Sequence, residues 1–146
     1  MPNKPKTKKS ESDTTPSPRI HFEKIGDTEW QIEETELDLD DVRLWAQNPR
    51  LEQYLQGHSP TTDAEIEAIL QKSRGYDNLL QSIKDLGQME AVYCWRRDHA
   101  SKYLVLEGAT RVTILRDLAR KHASGPKASQ YERVKAKILP PHFGTM

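Results

Sequence analysis

A glycine that ends an apolar strand and hands over at once to a helix can hold an anion, and residues 102–121, KYLVLEGATRVTILRDLARK, have that form. The run predicts a strand, a sharp turn at Glu107–Gly108 and an amphipathic helix carrying Arg111, Arg116 and Arg120. The first N–H groups of such a helix have no intrahelical acceptor and lie at the positive end of its dipole, which is what a phosphate seeks. A second candidate is Gln47-Asn48-Pro49-Arg50, where Asn and Pro fix a turn that presents Arg50. An arginine on a rigid turn can clamp a phosphate or carboxylate through two parallel N–H donors. The alternative for both stretches is structural: a tight turn whose Arg111 and Arg116 pair with carboxylates such as Glu107 or Asp117.

Other chemistries find less support. A single cysteine, Cys94, excludes an internal disulfide and a thiolate metal cluster. The five histidines, His21, His58, His99, His122 and His142, are scattered with no pair at ligand spacing, so no metal site is expected.

The elements that must position the two turns follow from pattern and composition. In a chain of 146 residues with 35% apolar residues there is room for one modest core, with part of the chain outside it. Residues 1–28 are rich in Lys, Pro, Ser and Thr, offer only Ile20, Phe22 and Ile25 for burial, and are expected to be a disordered basic tail. From Trp30 the alternation of Trp30, Ile32, Leu37 and Leu39 with acidic residues predicts a half-buried strand or strand pair, and Val42, Leu44 and Trp45 a short apolar turn. Residues 51–61, with Gly57 and Pro60, read as a mobile loop or a single helical turn. Thr61 or Thr62 is placed to cap a helix through Ile66, Ile69 and Leu70, with Glu65 completing a capping box. Gly75 ends or kinks that helix, and Gly87 stops a second one built on Leu79, Leu80, Ile83 and Leu86. Strands are expected at residues 91–96 and 102–106, joined by a hairpin loop at residues 97–100, and at Val134–Ile138 before Pro140-Pro141. The order predicts a small α+β domain with a mixed sheet and packed helices.

Charge sums to zero but is uneven. The N-terminus is basic, residues 33–41 are acidic, and from Arg111 onward the balance turns positive, which lets the C-terminal half face an anionic partner. No apolar run approaches bilayer length, and the N-terminus lacks a signal-peptide core, so a cytoplasmic location and no membrane partner are expected.

The pieces LDLDDVRLWAQNPR, LLQSIKDLGQMEAV, YLVLEGATRVTILRDLA and VKAKIL, in that order from about Trp30 to Leu139, resemble the ParB/sulfiredoxin-like superfamily, whose N-terminal ParB-like members are also labelled ParB-like nucleases. The resemblance implies a ParB/sulfiredoxin-like domain over residues 29–141 and a short tail at 142–146. It also implies a nucleotide-phosphate site formed by Asn48, Arg50, Gly108, Ala109, Thr110 and Arg111. Gly108 would let the backbone approach the phosphates, the N–H groups of Ala109 to Arg111 would donate to them, and Arg50 and Arg111 would supply charge. Thr110 would add a hydroxyl donor or an indirect Mg²⁺ ligand, and Glu107 would hold a metal or act as the catalytic base. The cofactor implied is Mg²⁺ with a nucleoside triphosphate.

Two departures narrow the expectation. ParB proteins usually carry Gly-Glu-Arg-Arg where this chain has Gly108-Ala109-Thr110-Arg111, and the sulfiredoxin branch needs a Cys at the position of Ala109. Sulfinic-acid reduction is therefore not expected, and Cys94 reads as a buried small hydrophobe. The resemblance implies a DNA-associated, nucleotide-binding protein of plasmid, phage or chromosome maintenance, a slow NTPase or switch. Its alternatives are a non-catalytic DNA-binding or adaptor protein, a nuclease, and a nucleotide-dependent phosphotransferase. Partners would be a nucleotide, DNA through the basic tail and the C-terminal half by charge rather than base readout, and a second copy in a homodimer. Of Trp30, Trp45 and Trp95, which could stack a base, Trp45 lies nearest the Asn-Pro-Arg turn.

Overall fold

The computed structural model describes residues 18–51 and 62–145. Its centre is a six-stranded mixed sheet of β1 (Arg19–Ile25), β2 (Thr28–Asp38), β3 (Val42–Leu44), β4 (Val92–Trp95), β5 (Tyr103–Glu107) and β6 (Arg133–Ile138), in the order β1-β2-β6-β4-β5-β3. Three helices, α1 (Asp63–Gln71), α2 (Tyr76–Leu86) and α3 (Ala109–Lys121), complete the expected α+β architecture. The neighbours β1/β2, β2/β6 and β4/β5 are antiparallel, whereas β6/β4 and β5/β3 are parallel.

Local chemistry sets the helix limits. The Thr62 hydroxyl accepts from the Glu65 N–H at 3.2 Å, starting α1 where the sequence predicts. Gly75 and Gly87, at φ 87° and 79°, bracket α2. Residues 42–44, expected as a turn, are instead a strand paired with Tyr103–Val105. Three residues are too few to show alternation, and their partner is distant in sequence.

The helices cover one face of the sheet, where Val92, Val105, Val112, Ile114 and Val134 are fully buried. Each such side chain contributes about 1.5–3 kcal/mol relative to exposure. Charged groups secure the rim of this layer. Leu44 N–H donates to both Asp63 carboxylate oxygens at 3.2 Å, and Arg116 donates to Val42 O at 2.8 Å. Arg116 also pairs with Asp63 at 2.9 Å and Glu67 at 2.8 Å, while Arg120 pairs with Glu67 and Asp117, both at 2.7 Å. Asp117 accepts in turn from Gln71 and from the Tyr76 hydroxyl. Two outward backbone groups of the edge strand β3, Leu44 N–H and Val42 O, are thus satisfied by α1 and α3.

A smaller core fills the opposite face. Trp30, Ile32 and Leu139 are buried there beside Trp95, Leu106 and Phe143. The Trp30 ring meets Phe143 edge-on at 4.8 Å, and the Trp95 indole N–H donates to Pro141 O at 2.8 Å. The C-terminal 3₁₀ turn Pro141–Thr145 is therefore packed against the sheet, where a short tail from residue 142 was expected.

The N-terminal boundary also moves. The expected disordered tail, residues 1–28, contains β1 and the turn Gly26–Asp27, so the sheet begins at Arg19. Isolated, Ile20, Phe22 and Ile25 suggest too little burial, but β1 is held by pairing with β2. Residues 1–17 of that tail, and residues 52–61 of the loop expected over 51–61, lie outside the described residues. The hairpin curls back over the second face, since Glu23 on the outermost strand accepts from the Tyr93 hydroxyl at 2.6 Å across β2 and β6. Glu23 also meets Lys137 Nζ at 2.7 Å and His21 Nε2 at 2.6 Å.

Burial would raise the Glu23 carboxyl, but hydrogen bonds from Lys137, Tyr93 and His21 outweigh it and pull the pKa from its ordinary 4.5 down to about 2. Because the folded pKa is depressed, this stabilisation is present above the unfolded value and is lost as pH falls through the folded one. Glu23→Gln is expected to flatten the loss of stability between about pH 5 and pH 2 by ~1–2 kcal/mol. Urea titrations across that range check this, and an acid limb unchanged by the substitution would refute it.

Candidate functional site

The strand-to-helix turn singled out by the sequence is built around a steric constraint. Gly108 joins β5 to α3 at φ 105°, a conformation that L side chains rarely adopt. A Cβ at this position would stand 2.5 Å from Val92 Cγ1 and 2.8 Å from Val92 Cβ, so the turn lies directly on β4. The first helical bond runs from Val112 N–H to Gly108 O at 3.1 Å. Ahead of it are the N–H groups of Ala109, Thr110 and Arg111, with no side-chain cap on Gly108 and no acidic residue in the first turn. This is the positive end of a helix of 13 residues.

The turn forms one wall of a cavity of about 230 Å³. Asn48 and Leu51 from the turn after β3, Leu70, Arg74, Gly75 and Leu79 from the α1–α2 junction, and residues Glu107 to Arg111 line it. The fold therefore brings Asn48 and the Gly108–Arg111 turn, distant in sequence, to the same space. Asn48 is buried, and its carbonyl accepts from Leu51 N–H at 3.0 Å. Arg50 lies in the 3₁₀ turn Pro49–Leu51, but its side chain is outside the described residues. Trp45, the aromatic expected nearest the site, is half-buried and does not line the cavity.

Arg111 does pair with a carboxylate, though with Glu90 at 2.8 Å rather than Glu107 or Asp117. Its side chain is 23% exposed, whereas that of Glu90 is 74% exposed. A pair this open to solvent is worth about 0–1 kcal/mol, so an anion in the cavity can compete for the guanidinium. Arg74 is the residue that sequence reasoning missed. It lines the cavity and makes no hydrogen bond or ion pair with any described residue. Its only signal is an Arg–Gly pair at a helix junction, which by itself reads as scaffold.

The volume limits what fits. Ligand pockets usually measure about 300–1,000 Å³, so 230 Å³ suits a phosphoryl group or two better than a whole nucleotide. Glu107 is the one carboxylate among the described lining residues. A Mg²⁺ ion arriving with a triphosphate would take most of its oxygens from phosphate and water, with Glu107 and the Thr110 hydroxyl as the protein groups in reach of the cavity. No group of three or more His, Cys, Asp or Glu side chains able to hold a metal occurs among the described residues.

Two further expectations meet their outcome here. Of the basic residues from Arg111 onward, Arg116 and Arg120 are committed to Asp63, Glu67 and Asp117. Cys94 is fully buried in the core, and burial pushes its thiol up to about 12, far from the thiolate that nucleophilic chemistry needs. No described helix is long and apolar enough to cross a membrane. Comparison of the chain with protein-family models, with characterised proteins and with solved structures finds no match.

Gly108→Ala is expected to lower unfolding stability by about 3 kcal/mol, through backbone strain and overlap with Val92. Val92→Ala removes the nearest overlapping atom, Cγ1, but keeps Cβ. The double variant should therefore be more stable than the sum of the single losses predicts, by about 1 kcal/mol. Strict additivity in urea denaturation would show that the Gly108–Val92 contact does not set the turn.

Proposed function

We propose that this chain binds the phosphate groups of a nucleoside triphosphate at the Gly108–Arg111 turn, as a ParB/sulfiredoxin-like domain of a DNA-associated protein. The observation that carries the reading is the convergence of Asn48, Arg74 and the uncapped first turn of α3 on one small cavity. The backbone N–H groups of Ala109, Thr110 and Arg111 supply donors, and Gly108 lets the backbone come close. Arg74 and Arg111 supply charge, which in two planar guanidinium groups favours a tetrahedral polyanion over a simple carboxylate.

Binding precedes any chemistry in this reading. If the bound triphosphate is hydrolysed, Glu107 is the group at the cavity wall suited to orient or deprotonate water, giving a slow NTPase or a binding switch. The nuclease and adaptor alternatives draw no specific observation from the fold. DNA association would rest on charge, with its strength falling steeply as salt rises.

A thermal-shift series with the four nucleoside triphosphates and inorganic triphosphate, each with Mg²⁺, tests the proposal. At least one triphosphate is expected to raise the melting temperature of the intact chain. Arg74→Ala should weaken the apparent affinity by roughly tenfold or more while leaving the unliganded melting temperature unchanged, since a hydrogen bond to a charged group is worth about 1.5–3 kcal/mol. Arg111→Ala should act in the same direction. No shift with any of these compounds would overturn the reading.

A further inference from the structure

The outer edge of β1 is the longest unpaired strand edge among the described residues, since the other edge strand, β3, has three residues and is covered by Asp63 and Arg116. The two-residue turn Gly26–Asp27 makes Ile25 and Thr28 a mutually hydrogen-bonded pair. Bonding alternates along an antiparallel ladder, so Glu23, His21 and Arg19 also turn their backbone groups toward β2. Ile20, Phe22 and Lys24 therefore turn theirs outward. The same residues carry the exposed apolar patch of the hairpin, with Ile20 55% and Phe22 63% exposed.

We propose that a second copy of this chain adds to the sheet through this edge, β1 pairing antiparallel with β1 about a two-fold axis at Phe22. In that register Phe22 faces the partner's Phe22 and Ile20 faces the partner's Lys24, so all the outward-turned residues find hydrogen-bonding positions on the other strand. A shift by one residue would set outward groups against inward ones, and a shift by two would leave an outward residue at each end without its counterpart. No like charges face each other in this register: His21 comes opposite the partner's Glu23, and Arg19 lies diagonal to it. On the other face the two Phe22 rings meet beside Ile20, with the Lys24 stem covering the aliphatic side chain. An edge of seven residues buries less than the roughly 1,200 Å² of a stable interface, so the pairing is weak and concentration-dependent.

Sedimentation equilibrium of the full chain over a wide concentration range tests the proposal. The expected result is a weight-average mass rising from monomer toward dimer, with Phe22→Lys and Ile20→Lys each remaining monomeric while their circular dichroism and melting stay unchanged. Phe22→Cys supplies the register: hydrogen-bonded partners stand about 5.5 Å apart at Cα, within disulfide reach. Mild oxidation should therefore link two copies through residue 22, whereas Lys24→Cys should not link to itself. Monomer at every concentration, a dimer that survives Phe22→Lys, or cross-linking by Lys24→Cys but not by Phe22→Cys would each overturn the proposal.

Discussion

The contact between Gly108 and Val92 is the constraint on which the described site depends. It sets where β5 stops and how closely the first turn of α3 lies on β4. With that end fixed, α3 runs so that Arg116 reaches Asp63, Glu67 and the carbonyl of Val42. The same bonds tie α1 to the edge strand β3, and the chain leaving β3 carries Asn48 back to the glycine turn. A close approach of backbone to side chain at one residue thus decides the shape of a cavity whose walls come from three separate parts of the chain.

Part of the charge in this protein is internal. The sequence shows a basic C-terminal half, but Arg116, Arg120 and Lys137 are each committed to carboxylates. Removing one partner from a well-buried pair such as Arg116 and Glu67 would leave the other charge uncompensated, so these residues act as supports for the helix layer. At the cavity, the groups that can meet an external anion are the end of α3, Arg111 of the solvent-exposed pair and Arg74.

Features written in short-range pattern were legible from the sequence. Thr62 and Glu65, the glycines at 75, 87 and 108, and the strand-turn-helix of residues 103–121 all follow from neighbours a few positions apart. The elements that escaped reading depend on distant partners. β1 has the composition of a tail yet pairs along its whole length with β2, and the C-terminal turn is ordered by Trp30. β3 is three residues long and owes its conformation to β5. In the site, Asn48 and the glycine turn were readable as separate motifs, whereas Arg74 reaches the cavity only through the packing of α1 and α2.

The position of β6 has a consequence for how the chain is made. Among the described residues it is the last strand in sequence, yet it lies between β2 and β4 and alone joins the hairpin β1–β2 to the rest of the sheet. Until residues 133–138 leave the ribosome, the hairpin is an isolated two-stranded unit, marginal in water, and the inner edges of β2 and β4 are both open. Native pairing must then close across nearly the whole described length, and non-local pairing of this kind is slow. A chain cut short between α3 and β6 would carry every described residue lining the cavity at Gly108, but in two pieces of sheet with exposed edges, a species suited to aggregation and degradation.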